Sequence, residues 1–184
     1  PTPQASRQRD ADSTKEPVVV TTEDVKRLRD ESGAGVMDSK RALEESNGDF
    51  EAAREILRQQ GMAAAAKRSD RDTDQGIIEA YIHGEGRIGA LVEVNCETDF
   101  VARTETFREL ARNVAMQVAA MAPLALTAED VPAEAPGERE EHALLTQPFI
   151  KDGARTINDL LQDAIAQTGE NIRINGFSRF ELGS

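Results

Sequence analysis

The 184-residue sequence has no tryptophan, one tyrosine, one cysteine and two histidines. With only six phenylalanines beside that tyrosine, aromatics cannot build the interior, which must come mainly from Ile, Leu, Val, Met and Ala. A lone Cys96 excludes an intrachain disulfide, which fits a reducing compartment without proving one. His83 and His142 lie outside any metal-ligand spacing and read as surface residues. No apolar run approaches the length of a membrane span or of a signal core. Positive charge is also scarce: 22 basic residues against 34 acidic ones leave a net charge of -12. A protein that gripped phosphates would carry the opposite sign, so direct binding to nucleic acid or to an anionic membrane is disfavoured.

Catalytic signatures are missing too. Gly33-Ala34-Gly35 followed by Ser39-Lys40 resembles a phosphate loop only superficially. It lacks the Gly-Lys-Ser/Thr ending and does not follow an apolar strand. Cys96, beside an apolar strand, reads as a small buried filler rather than a reactive thiol. The acidic residues read as solvated faces. No catalytic residue, metal ligand or cofactor is expected, and function falls to interaction surfaces.

What is present organises into segments. Residues 1–20 are polar, carry three prolines and show no helical period, which predicts a disordered tail. Residues 21–61 hold three short helical patterns. Thr21 or Thr22 caps the first, Asp38 is placed to cap the second, and the third ends at Gly61. Residues 62–75, alanine-rich and then charged, read as a linker. From 76 to 184 a core domain follows. Ile78, Ala80 and Ile82 alternate with Glu79, Tyr81 and His83, Gly84-Glu85-Gly86 turns the chain, and a strand at 87–95 completes an antiparallel hairpin. Phe107, Leu110, Ala111, Val114, Val118 and Met121 are spaced as one helix face, and Ile157, Leu160, Leu161, Ala164 and Ile165 as another. The proline-bearing stretch 123–148 reads as mostly irregular. A last strand from about Asn171 offers Ile172, Ile174, Phe180 and Leu182 to the sheet. The expected class is α+β: a small antiparallel sheet covered by helices, preceded by a three-helix unit.

The most informative stretch is Glu93-Val94-Asn95-Cys96-Glu97-Thr98-Asp99-Phe100-Val101-Ala102. Ile88, Ala90, Val92 and Val94 give a strand with one apolar face, and the alternation breaks after Asn95. Phe100 then sits on a strand-to-helix connection. It is either the lid of its own core or an anchor for another protein's pocket.

This stretch resembles the signature of elongation factor Ts, the nucleotide-exchange partner of elongation factor Tu. Ser32-Gly33-Ala34-Gly35-Val36-Met37-Asp38-Ser39-Lys40-Arg41-Ala42-Leu43 resembles the family's amino-terminal domain. Gly169-Glu170-Asn171-Ile172, with Phe177 and Arg179-Phe180-Glu181-Leu182, resembles its carboxyl end. The similarity runs over about residues 21–184 and implies that the three-helix unit is ubiquitin-associated-like. It implies a bacterial cytoplasmic translation factor, in preference to one of an organelle matrix. Such a factor binds elongation factor Tu in its GDP-bound and nucleotide-free forms and promotes GDP release without covalent chemistry.

Carried over residue by residue, the resemblance assigns Thr98, Asp99, Phe100 and Val101 to a loop that enters the partner's GTPase domain. Phe100 would act as a wedge, and Asp99 would hold the loop or touch the partner. Arg29, Val36, Met37 and Lys40 of the first domain would dock on an outer helix. Val36 and Met37 could instead close the three-helix core, and charged residues such as Arg29 and Lys40 are usually just solvated. The sequence departs from the family at Val36, where Met is common, and at Ser39, where Cys is common. The core is single and the stretch 123–147 short, so a homodimer supplying a second core is expected. Two other readings compete: a polypeptide- or ubiquitin-like-binding module built on residues 22–61, and a small-molecule enzyme with its site between helix and sheet.

Overall fold

A capping box starts the first helix. The Thr21 hydroxyl accepts the Asp24 amide at 3.1 Å, and the Asp24 carboxylate accepts the Thr21 amide at 3.0 Å. The computed structural model describes residues 20–183. The tail expected over 1–20 lies outside the described residues, except for Val20, which packs on the first helices. Helix α1 spans Thr22–Ser32 and ends at Gly33, whose φ of 70° is left-handed. Helix α2, Val36–Glu45, begins after Gly35, so Asp38 is not its cap. Asp38 sits inside the first turn, where its charge still favours the amide end of the helix. Asp49 caps helix α3, Phe50–Ala66, by accepting the amides of Glu51 and Ala52. Val25, Leu28, Ala42, Leu43, Ala53 and Leu57 meet in the small core these helices share. Ser39 is buried among them, and its hydroxyl has no hydrogen-bond partner.

Helix α3 does not stop at Gly61. It runs Phe50–Ala66, so the first part of the expected linker is helical. The continuation packs on a helix from the far end of the chain, α7 (Ile157–Thr168), with Gly61 close to the Ala166 side chain. Tertiary contact outweighs the roughly 1 kcal/mol helix penalty of a glycine.

Strands β1 (Gln75–His83) and β2 (Ile88–Cys96) form the expected hairpin, and β5 (Ile172–Glu181) pairs with the other side of β2. The resulting sheet has three strands, all antiparallel, in the order β1-β2-β5. One face carries Ala90, Val92, Val94, Cys96, Ile172 and Ile174 into the main core, with Ile77 and Tyr81 at its margin. Helix α5, Glu105–Met121, covers that face with Phe107, Leu110, Ala111, Val114 and Val118, and α7 adds Ile157, Leu161 and Ile165.

Not every alternating apolar residue of the sheet faces the core. The apolar set Ile78, Ala80 and Ile82 of β1 points outward, and Ile78 is 72% exposed. The inward set is Ile77, Glu79 and Tyr81. In β5 a bulge at Asn175 is the cause: Glu93 pairs with Gly176 while the next residue, Val94, pairs with Ile174. One extra residue reverses the side-chain parity of the strand. Ile172 and Ile174 therefore face the core, whereas Phe180 and Leu182 face solvent. The sheet is helix-covered on one side only.

Between α5 and α7 the chain is less irregular than expected. It makes a parallel bridge from Ala125 to Ala143, a 3-10 turn at Ala128–Asp130, the short helix α6 (Arg139–His142), and a hairpin of β3 (Pro148–Phe149) with β4 (Asp152–Thr156). Buried Gln117 of α5 holds that hairpin: its amide group donates to Gln147 Oε1 and to the Pro148 carbonyl, and its oxygen accepts the Ile150 amide. Among the described residues no helix is long and apolar enough to cross a membrane.

Candidate interaction site

β2 delivers the chain to the loop, and Cys96 closes it. The Cys96 thiol is fully buried and lies 3.1 Å from the Thr98 carbonyl. Burial, followed by the nearby charge of Glu170, pushes its pKa up to about 11, so it stays protonated at neutral pH, which suits a structural filler.

Thr98 has extended backbone and caps the one-turn helix α4, Asp99–Ala102, its hydroxyl accepting the Val101 amide at 3.3 Å. Successive side chains on a helical turn point in different directions, and the inward ones here are Val101 and Ala102. Val101 is only 6% exposed and belongs to the core, so its side chain is no part of the outer surface. Phe100 points the other way and is 78% exposed. It is not a lid on its own core. Asp99 beside it pairs with Arg103 at 2.8 Å, one turn on, and both are solvent-facing. Thr104 then caps α5 and also donates its hydroxyl to the Val101 carbonyl at 2.7 Å, fixing the exit of the turn. The ring is presented on a short, bonded helical turn.

The other end of the molecule braces this turn. Glu170, between α7 and β5, accepts the Thr98 amide at 3.0 Å and the Thr98 hydroxyl at 2.7 Å. Glu97 accepts the Asn171 amide at 2.6 Å and an Arg71 guanidinium N–H at 3.3 Å. The Asn171 side chain in turn donates to the carbonyls of Ser69 and Arg71. Sequence reasoning assigned no role to Arg71, Glu97, Glu170 or Asn171. The signals were the Glu93–Ala102 stretch, which holds Glu97, and the Gly169-Glu170-Asn171-Ile172 motif, and neither says anything about its partner in space.

On the three-helix unit, Val36 and Met37 do not close the core. Both are exposed, Met37 at 67%. Val36 and Lys40 are one turn apart on α2, with Met37 next to them on the same side. Lys40 approaches Glu44 at 3.6 Å, and Arg29, near the end of α1, pairs with Asp30 at 2.6 Å. Both pairs are solvent-exposed and leave the cations accessible.

The outer face of the sheet is a further exposed surface. Gly89 of β2 lies between Ile82 on one side and Phe180 on the other, and Leu91, Leu182 and Ile78 extend the apolar area. His83 stacks on Tyr81 at the end of β1. Among the described residues no group of three or more His, Cys, Asp or Glu is placed to hold a metal ion.

Residues 64–141 match the family model described as elongation factor TS. An elongation factor Ts of Carboxydothermus hydrogenoformans is 50% identical over 195 residues, covering 90% of this chain and 90% of its own. One from Rubrobacter xylanophilus is 48% identical, covering 87% of this chain and 97% of its own. One from Moorella thermoacetica is 46% identical, covering 90% and 96%.

Proposed function

The chain belongs to the elongation factor Ts family, which makes it a translation elongation factor, and on that premise we propose that it binds elongation factor Tu and promotes release of GDP so that GTP can rebind. The observation that carries this reading is Phe100, a large ring held 78% exposed on a capped helical turn. Leaving a phenylalanine in water forgoes about 1.5–3 kcal/mol, which a partner's pocket recovers.

Metal and phosphate bind a GTPase through closely set distances, so a ring wedged against a supporting helix weakens both. The factor needs no bond-making chemistry. Linkage requires that a protein which weakens GDP binding is itself held less tightly by the GDP form than by the nucleotide-free form. A thousandfold weakening corresponds to about 4 kcal/mol, more than burying one ring provides. Other contacts must contribute. Exposed Val36 and Met37, with Lys40 and Arg29 nearby in sequence, support docking of a ubiquitin-associated-like domain at 21–61 on an outer helix of the GTPase. Thr98 and Asp99 serve the loop that carries the ring. We assign the protein to the bacterial cytoplasm on the strength of its bacterial relatives. The open apolar face of the sheet supports a homodimer in which a second copy covers it.

The test is release of a fluorescent GDP analogue from elongation factor Tu. Saturable acceleration by the wild type, cut about tenfold or more in Phe100→Ala, is the expected result. A folded wild type that leaves release unchanged with a cognate partner sinks the reading.

A further inference from the structure

We propose that Glu170 is a positioning residue for the exchange loop, holding Phe100 at its working angle through Thr98. The inference rests on the exchange reading above and extends it to a residue 72 positions away in sequence. Both carboxylate oxygens of Glu170 are engaged by one residue: Oε2 accepts the Thr98 amide at 3.0 Å and Oε1 accepts its hydroxyl at 2.7 Å. The second bond has a consequence inside the loop. A threonine hydroxyl has one proton and two lone pairs. By taking the proton, Glu170 turns a lone pair of Thr98 Oγ towards the Val101 amide, which it accepts at 3.3 Å. The same carboxylate thus fixes the backbone entering the turn and orients the cap that starts it. Phe100 stands between those two fixed points.

Glu170 contributes little to the apolar core. It is half-buried, lies in the connection between α7 and β5, and is absent from the core clusters. The neighbouring pair Glu97 and Asn171, bonded at 2.6 Å, already joins the β2 exit to the β5 start. Loss of Glu170 therefore leaves the sheet joined and frees the turn. A turn that moves still lets the first domain dock, but presents the ring in the correct place for only part of the time. The saturating exchange rate should fall while the concentration for half-saturation stays nearly constant. General destabilisation would instead reduce the competent fraction and raise that concentration.

The experiment follows fluorescent GDP release from elongation factor Tu over a range of concentrations of wild type, Glu170→Ala and Glu170→Gln. Amide hydrogen exchange is read at Thr98, Val101 and, as a control in the sheet, Val92. Charge-assisted hydrogen bonds of this kind predict a saturating rate about tenfold lower for Glu170→Ala, with half-saturation within about twofold of wild type. Amide exchange should quicken at Thr98 and Val101 but not at Val92. Glu170→Gln keeps the side chain's size and one acceptor and should fall between, giving a second reading if the alanine variant is poorly folded.

A Glu170→Ala protein with the wild-type saturating rate overturns the proposal. If the wild type itself gives no acceleration, the exchange reading fails and the amides decide separately. Faster exchange at Val101 in Glu170→Ala then upholds the anchor, and unchanged exchange removes it.

Discussion

Gly33 and Gln167 are in such close contact that a Cβ built on Gly33 would stand 2.6 Å from Gln167 Cγ. The contact joins the α1–α2 turn to the last turn of α7, beside the packing of Gly61 on Ala166. The three-helix unit is thus held against the core domain by glycines that let the chains approach.

Substituting Gly33→Ala should cost about 1–2 kcal/mol from its left-handed backbone alone, before any displacement of Gln167. Because Gln167 is flexible, its side chain can yield, and Gln167→Ala in the same protein should recover only the contact part of the loss. Urea unfolding of the two single variants and the double variant measures this. Equal stability of wild type and Gly33→Ala would contradict the left-handed assignment.

Ser39 gives a change in the opposite direction. Its hydroxyl is buried in the three-helix core without a partner. A thiol of similar shape requires far less hydration, so Ser39→Cys should stabilise the protein by about 1 kcal/mol. Thermal unfolding under reducing conditions reads the gain, and a lower melting temperature would show that the site cannot take the larger atom.

Cys96 should resist alkylation at pH 8 in the native state and react readily once unfolded. Burial raises its pKa from 9.0 to about 11, so the folded protein holds the proton more firmly than the unfolded one. The sign follows from that: the associated stability is complete below pH 9 and is lost as pH rises from 9 towards 11. Iodoacetamide labelling with and without urea, across that range, tests both statements. Fast native labelling at pH 8 would show a thiol far less buried.

The exposed sheet face predicts self-association. Sedimentation equilibrium of wild type should give a concentration-dependent dimer, and Phe180→Asp, on the outer face beside Gly89, should give a monomer with unchanged helix content. A wild type that stays monomeric at high concentration would leave the face without a second copy.

Much of the fold was legible where one pattern had one meaning. The alternation of Ile88, Ala90, Val92 and Val94 along the strand gave the inner face of β2, and the break after Asn95 marked the loop. The inward face of β1 was not legible, because Ile77 and Ile78 are adjacent and apolar residues continue on both parities through Tyr81 and Ile82. Periodicity alone could not choose the face. In β5 the face depends on a single bulged residue, Asn175, which follows from pairing with β2 rather than from local sequence. Gly61 carried a stop signal that was overridden by packing on α7. The hairpin at 148–156 was hidden by its short first strand and its leading proline. At the site, the exposed Phe100 was legible as one of two options. Val101 was not, because assigning a whole motif to the surface ignores the turn that sends one side chain inward.

β2 has a neighbour along its full length on both sides: Cys96 pairs with Gln75 of β1 and with Ile172 of β5 at the end nearest the loop. A load applied at Phe100 along this strand acts in shear, and two ladders of hydrogen bonds share it in parallel instead of opening one after another. The ring is therefore mounted just beyond the central strand of the sheet, the one paired on both sides. In the proposed exchange, work done in pressing the ring against elongation factor Tu would go into moving that partner, with little lost to bending the strand behind it.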